Sequence, residues 1–567
     1  MVDYPTPKTA AEALLMRLKI NGVDYLFGNA GTDFAPIIEA YANGSADDMP
    51  MPVPLVMPHE TAALGMAHGY YRSTGKPQAA MVHVNVGLAN ALMGVINAAS
   101  DNVPLFMMAG RTPLTEFGRV GARMTPIQYG QEMRDQSGFV RESTKWDYEL
   151  RYPEQTANLV DRGVAIAMTA PRGPVYLGLP REPLAEAWPE DMPIDGPVQS
   201  TPTVTSPDPD AIQQAAALLS KAKNPLIICQ RSDPEGTLGD ALLNLIEDQA
   251  IAVAEPFAIQ NVLATAHPMH GGFNLGPWLE DADVILSVDA QVPWILRSQD
   301  LRKGAKVIHI GADPLFSDLP MRSHQNDLAI TSDPAMALNA LNTALESSAG
   351  QNMARYKSIQ KKNEKRREEI IEKAKAGSGT PMTPMYVGHC VSEIMEEDSV
   401  LFAELGVPFD ALDLKGPNRA SIGPFSGGLG WGVPAALGAS LANPDRLAIA
   451  TVGEGSYIFA NPVACHQISE ALDLPILIIV LNNGIWNAVR RAARNVYPEG
   501  SAVKMNTMPL TSLEPLPDFC AIAEASRGWS ERVENGEDLP SALARAVDVI
   551  KNEKRSALLE VRTLVPN

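Results

Sequence analysis

Two short stretches in the last third of the chain combine residue types that bind anions and hard cations. Gly453-Glu-Gly-Ser456 follows an apolar run, Leu447 to Thr451, and Asn482-Asn483 follows a second run that ends at Leu481. In a parallel sheet both would sit at carboxyl ends of strands, where α/β folds bind ligands. Gly453 and Gly455 let backbone approach a phosphate closely. Glu454 supplies an anionic oxygen and the asparagines supply neutral ones, a hard set that suits Mg²⁺ or Ca²⁺. Upstream, Pro58-His-Glu60 precedes a run of small residues, Thr61 to Tyr70. A single glutamate there is by default a solvated loop residue. A third stretch, Phe425 to Pro434, is rich in glycine, which permits tight backbone packing. His83 ends the apolar run that begins at Ala79. An imidazole titrates near neutrality and can act as acid or base; the bland alternative is a satisfied histidine at a buried strand end.

The surrounding pattern tells which elements carry these groups. Short apolar runs alternate with helix-like segments along the whole chain: Tyr25–Phe27, Pro54–Val56, Ala79–His83, Leu105–Ala109 and Val175–Leu179; Pro225–Cys229, Val284–Val288 and Lys306–Ile310; Ser399–Phe402, Leu447–Thr451, Ile476–Leu481 and Ala557–Val561. That alternation predicts α/β units with parallel sheets. Three units of comparable size result, covering residues 1–187, 208–345 and 378–567. Trp188 to Asp210, rich in Pro, Asp, Ser and Thr, reads as a linker. Met353 to Ala376, dense in Lys, Arg and Glu, reads as a solvated helix. No short tandem repeat is present.

Composition narrows the function classes. With 567 residues the chain can bury several cores without disulfide or metal staples. Its net charge of -20 disfavours nucleic-acid and anionic-membrane partners, which need clustered Lys and Arg. The four cysteines, Cys229, Cys390, Cys465 and Cys520, lack metal or redox spacing, and the first residues lack a basic start followed by an apolar run. No uncharged apolar stretch is long enough to span a bilayer. The expectation is a soluble cytoplasmic protein without a membrane or nucleic-acid partner. An NAD-dependent dehydrogenase would need G-x-G-x-x-G after a strand of the middle unit; Cys229-Gln-Arg-Ser232 stands there instead.

Taken together, the motifs resemble those of thiamine diphosphate-dependent enzymes of the acetolactate synthase and benzoylformate decarboxylase type. The Gly-acid-Gly-Ser stretch, the spacer from Ser456 to Leu481 and the Asn pair look like the family's metal–diphosphate motif, with Glu454 where Asp is usual. The resemblance implies three doubly wound parallel-sheet domains: pyrimidine-binding, middle and diphosphate-binding. It implies Glu454, Asn483 and the Ile485 carbonyl as ligands of Mg²⁺, or of Ca²⁺. It implies cofactor contacts from Glu60, Gly406, Leu429, Gly453, Glu454, Gly455, Ser456, Asn483 and Ile485. Glu60 matches the residue that hydrogen-bonds the aminopyrimidine ring, and Leu429 the apolar residue that wedges beneath the cofactor.

Within the family, Phe27-Gly-Asn-Ala-Gly-Thr32 and Val82-His-Val-Asn-Val-Gly87 are similar to benzoylformate decarboxylase. The similarity implies Thr32 as a contact of the substrate carboxylate and His83 as the proton-handling histidine. The counterpart region at the end of the middle unit, Gln291-Val-Pro-Trp294, holds no histidine. His59 and His466 read as structural. Ala488 and Val489 fall where relatives line the substrate site. The implied reaction is non-oxidative decarboxylation of a 2-oxo acid, with carboligation to an aldehyde as a companion. The alternatives are an acetolactate synthase-like carboligase and a 2-hydroxyacyl-CoA lyase; FAD in the middle domain is left open. A homodimer or homotetramer with shared sites is implied.

Overall fold

The computed structural model describes residues 4–345 and 352–565. Residues 1–3 and 566–567, at the ends of the first and third expected units, lie outside them. The first sheet contains β1 (Tyr25–Gly28), β2 (Val53–Val56), β3 (Gln78–Val82), β4 (Leu105–Arg111), β5 (Asp147–Glu149) and β6 (Val175–Pro180), in spatial order β2-β1-β3-β4-β6-β5. The second contains β7 (Pro225–Cys229), β8 (Ala252–Ala254), β9 (His270–Gly272), β10 (Val284–Val288), β11 (Lys306–Gly311) and β12 (Leu328–Thr331), ordered β12-β11-β10-β7-β8-β9. The third contains β13 (Val400–Glu404), β14 (Ala420–Ile422), β15 (Ala448–Gly453), β16 (Leu477–Asn482), β17 (Trp529–Val533) and β18 (Ala557–Arg562), ordered β14-β13-β15-β16-β18-β17. Every strand pair is parallel.

The first and third sheets therefore share one winding, and each reverses direction between its first and third strands. The middle sheet follows the dinucleotide-fold order and reverses between β7 and β10. Such reversals open a crevice at the carboxyl ends of the strands. The central strands β3, β4 and β16 are buried along their whole length, as both-face coverage by helices requires. In the middle sheet the crevice is bridged by protein. The Gln230 side chain donates to Pro256 O and Val292 O, each at 2.8 Å, and accepts from Val292 N.

The chain divides into two compact units. One comprises the residues up to Thr203 plus Pro424–Ala442; the other comprises Val204–Gly423 and the residues from Asn443 onward. In the first, helix Gly432–Ala442 packs on helix Glu60–Thr74 without room for side chains. A Cβ on Gly438 would lie 2.1 Å from Met66 O, and one on Gly69 2.0 Å from Ala435 O.

Several expectations shift by a residue or more. His83 is not the end of β3 but the residue that caps helix Val84–Ser100. Val84 turns to a φ of +35° there, which breaks the strand. The first half of the linker is fixed: Trp188 and Ile194 are buried with Ala13 and Met16, and Arg17 donates to Ile194 O, Gly196 O and Pro197 O. Helix Met353–Lys375 is largely solvated, with Ile359, Asn363 and Ala374 turned inward. Of the strands that the apolar pattern does not reveal, β5, β8, β9 and β14 have three residues, β12 has four and β17 has five. Asn261 holds β14: Asn261 Oδ1 accepts from Arg419 N and Ala420 N, and Asn261 N donates to Ala420 O.

Candidate active site

The first sheet places its polar residues at its reversal. β1 and β3 are neighbours, with Gly28 opposite Met81, so the turn after β1 meets the residue after β3. Asp33, in the short turn Thr32–Phe34, is the contact. His83 Nδ1 lies 2.5 Å from Asp33 Oδ1, and Val84 N donates to Asp33 Oδ2 at 3.1 Å. His83 Nε2 faces the Gln131 amide nitrogen at 3.0 Å. The hydrogen bond to Asp33 holds the imidazole pKa above its ordinary value against the opposing effect of burial, with the Glu60 charge adding to it. Thr32 is exposed and its carbonyl accepts from Arg181 Nη1 at 3.2 Å. Arg181 also donates to Gly121 O and Ala122 O, which ties the loop before Gln131 to the same corner.

Glu60 opens helix Glu60–Thr74 and is buried, with Asn90 Nδ2 donating to its Oε2 at 3.3 Å. His59 is structural: its ring accepts from Thr61 N as the helix cap. Leu429 sits half-buried in the glycine stretch. Asn97 grips that stretch, donating to Gly428 O at 2.9 Å and accepting from Ser426 Oγ at 2.6 Å. Glu60, Leu429, His83 and Thr32 thus belong to the first unit.

The remaining candidates belong to the second unit. β15 and β16 are adjacent and parallel with Gly453 opposite Leu481, so Glu454 leaves β15 level with Asn482, one residue before Asn483. Glu454 Oε1 accepts from Ile485 N at 3.0 Å and Asn483 N at 3.3 Å, and Asn483 Oδ1 accepts from Ile485 N at 3.2 Å. Burial pushes the Glu454 carboxyl pKa up, partly offset by the backbone N–H groups around it. Gly484 makes the turn at a φ of +77°. Gly406 lies flat on β15, where a Cβ would be 2.1 Å from Thr451 O; on Gly455 it would strike the Trp486 ring at the same distance. Gly453 ends β15 with ordinary room around it. His466 is a core residue, 2.8 Å from the Tyr457 hydroxyl, and burial lowers its pKa to about 4.

This corner fits a diphosphate and its cation. Ser456 Oγ is buried with no hydrogen-bond partner among the described residues, a donor left over by the fold. Glu454, Asn483 and the Ile485 carbonyl are hard oxygen donors of the kind Mg²⁺ and Ca²⁺ take. Beyond this loop, helix Asn487–Val496 buries none of its residues, and Val489, Val496 and Tyr497 are exposed.

Sequence reasoning did not find Asp33, Gln131, Asn90 or Asn97. An acid directly after Gly31-Thr32 is a usable signal for Asp33; the others are ordinary polar residues until the fold places them. The middle unit adds one more. No histidine occurs within Gln291–Trp294, yet His324 reaches it from elsewhere, with Nε2 2.9 Å from Trp294 O and its ring against the indole.

Comparison with known proteins bears on the same segments. Models of the thiamine pyrophosphate (thiamine diphosphate) enzymes match in order. The N-terminal TPP binding domain covers residues 8–139, the central domain 212–341 and the C-terminal TPP binding domain 409–561. Benzoylformate decarboxylase of Pseudomonas aeruginosa is 25% identical, over 98% of this chain and 99% of its own. Acetolactate synthase 2 of Nicotiana tabacum is 24% identical, over 96% of this chain and 81% of its own. The acetolactate synthase isozyme 3 large subunit of Escherichia coli is 24% identical, over 96% and 93%. Among solved structures, the thiamine diphosphate-dependent 4-hydroxybenzoylformate decarboxylase of Rhodococcus jostii has the same fold. Its TM-score is 0.77 at 23% identity, over 98% of this chain and 99% of that one. With three domain models matched in order, the chain belongs to the thiamine pyrophosphate enzyme family.

Proposed function

We propose that the protein catalyses non-oxidative decarboxylation of a 2-oxo acid, with carboligation of the product to an aldehyde as a second outcome. The observation that carries this reading is the open histidine at the reversal of the first sheet, His83, in a chain that also keeps Glu60 and the Glu454–Asn483 corner. Similarity over nearly the whole length to a benzoylformate decarboxylase supports it.

Thiamine diphosphate, when bound, supplies a nucleophilic carbon and a ring that accepts the electron pair of the broken C–C bond. Glu60 would contact the pyrimidine ring and exchange a proton with it. Leu429 would support the cofactor from below. Gly406, Gly453, Gly455 and Ser456 would receive the diphosphate, and Glu454, Asn483 and the Ile485 carbonyl would hold Mg²⁺ or Ca²⁺ on it. The exposed Thr32 hydroxyl offers a donor to the substrate carboxylate. His83 moves a proton at Nε2, the nitrogen that Asp33 leaves free. Ala488 and Val489 offer an apolar surface to the substrate's side group.

A homodimer or a pair of dimers would build each site from Glu60 of one copy and Glu454 of another. The uncovered apolar residues Val489, Val496 and Tyr497 support such an assembly. Among the described residues no helix is long and apolar enough to cross a membrane, and all four cysteines are unpaired, which supports a cytoplasmic setting.

The test is CO₂ release and product analysis with thiamine diphosphate and Mg²⁺ on a series of 2-oxo acids from pyruvate to benzoylformate, with and without an aldehyde. Free aldehyde is the expected product. A second reading, an acetolactate synthase-like carboligase, draws on the similarly close tobacco and E. coli relatives and predicts acetolactate. Silence across the series with cofactor bound refutes both and directs the assay to 2-hydroxyacyl-CoA substrates.

A further inference from the structure

We infer that Asp33 is a positioning residue: it clamps His83 through Nδ1 so that Nε2 alone faces outward to take up and deliver the reaction's proton. The inference rests on the proposed role of His83.

The clamp has two jaws. One Asp33 oxygen meets the ring at 2.5 Å while the other accepts the N–H of the next residue, Val84, at 3.1 Å. Ring and backbone are thereby fixed to the same carboxylate. Val84 carries a β-branched side chain at a φ of +35°, a conformation that persists only where the surroundings enforce it. The Asp33–Val84 bond is one such enforcement.

Backbone closes both sides of the pair. A Cβ on Gly31 would lie 2.1 Å from His83 Nδ1, and one on Gly110 would lie 1.6 Å from Asp33 Oδ2. The ends of β1, β3 and β4 thus leave no space for either side chain to swing.

The pair is open at one end only. Asp33 is 3% exposed, whereas the His83 side chain is 19% exposed. The buried pairs His68–Asp101 and His270–Glu255 differ: none of their four side chains exceeds 2% exposure, so both are closed. A bond that merely pinned two loops would need no partly exposed imidazole. Gln131 completes the arrangement. Its amide donates to a neutral Nε2 as placed at 3.0 Å, and turned over it accepts from a protonated one. The charges acting on the ring are both acidic, Asp33 and Glu60, and both favour the imidazolium.

The test uses full-length protein with thiamine diphosphate and Mg²⁺, wild type and Asp33→Asn. Carbethoxylation of His83 is followed against pH by peptide mass spectrometry, which needs no substrate. The wild-type midpoint is expected above the ordinary value of about 6.5. Asp33→Asn is expected to lower it by roughly one pH unit or more. In turnover, the variant is expected to lose kcat by about 10²-fold with KM nearly unchanged. Its acid limb should move with the carbethoxylation midpoint. A wild-type midpoint at or below 6.5 overturns the inference whether or not the variant folds. A fall in kcat without movement of the midpoint overturns it too. If the midpoint moves as expected but no 2-oxo acid is turned over by wild type, the clamp stands and the proposed reaction falls.

Discussion

Removing the Ser456 hydroxyl should move stability and cofactor affinity in opposite directions. In the protein alone Ser456 is 1% exposed, and its hydroxyl is buried and bonded to nothing among the described residues. An unsatisfied buried polar group costs about 1–3 kcal/mol. Ser456→Ala removes that cost and leaves a gap only the size of one oxygen. The cofactor-free variant should therefore unfold at equal or higher urea concentration, by up to about 2 kcal/mol. Hydrogen bonds to charged groups contribute about 1.5–3 kcal/mol. If the hydroxyl waits for a diphosphate oxygen, losing it weakens thiamine diphosphate binding by about 10- to 150-fold. Urea unfolding without cofactor gives the first number, and calorimetric titration at fixed Mg²⁺ gives the second. A destabilised cofactor-free variant, or an unchanged Kd, would contradict this prediction. The first outcome would mean the hydroxyl has a partner within the fold, and the second that the cofactor does not use it.

Other consequences follow from the same geometry. Glu60→Gln should retain thiamine diphosphate yet lose turnover by about 10²- to 10⁴-fold in steady-state assays. Glu454→Ala should weaken Mg²⁺ binding by at least roughly 10- to 100-fold, the range that even an outer partner of a metal site costs; stripping divalent ions with a chelator should release cofactor, and Mg²⁺ should restore it. Because the folded His83 pKa is raised, its contribution to stability is fully present below about pH 6.5 and is lost as pH rises through the folded value. Urea midpoints of wild type should fall across that window, and Asp33→Asn should lack the slope. Gly438→Ala forces a Cβ to 2.1 Å from Met66 O and 2.7 Å from Tyr70 N, backbone atoms that cannot step aside. It should cost about 1–3 kcal/mol or more in urea unfolding.

The Glu454–Asn483 corner was legible because it is local. Glu454 and Asn483 flank one crossover between neighbouring strands, and adjacent parallel strands release the residues after their ends within one position of each other. Glycines at Gly453 and Gly455, an acid, and an asparagine pair mark the two strand ends in the sequence itself. The alternation of apolar runs likewise gave the parallel α/β character, since strands buried on both faces carry uninterrupted apolar residues.

The Asp33–His83 pair was not legible, because β2 lies between β1 and β3 in the chain but at the edge in the sheet. Which strands become neighbours depends on how the helices cover the two faces, and no residue of Asp33's own segment states that. The same holds for His324, carried to Trp294 by a separate strand connection, and for three-residue β14, which Asn261 recruits to its sheet. The sequence alone thus carried the class of fold and the order of its units, and it marked the polar residue types at each strand end. Packing set which side chains meet, because proximity across a sheet arises over distances that local patterning does not encode.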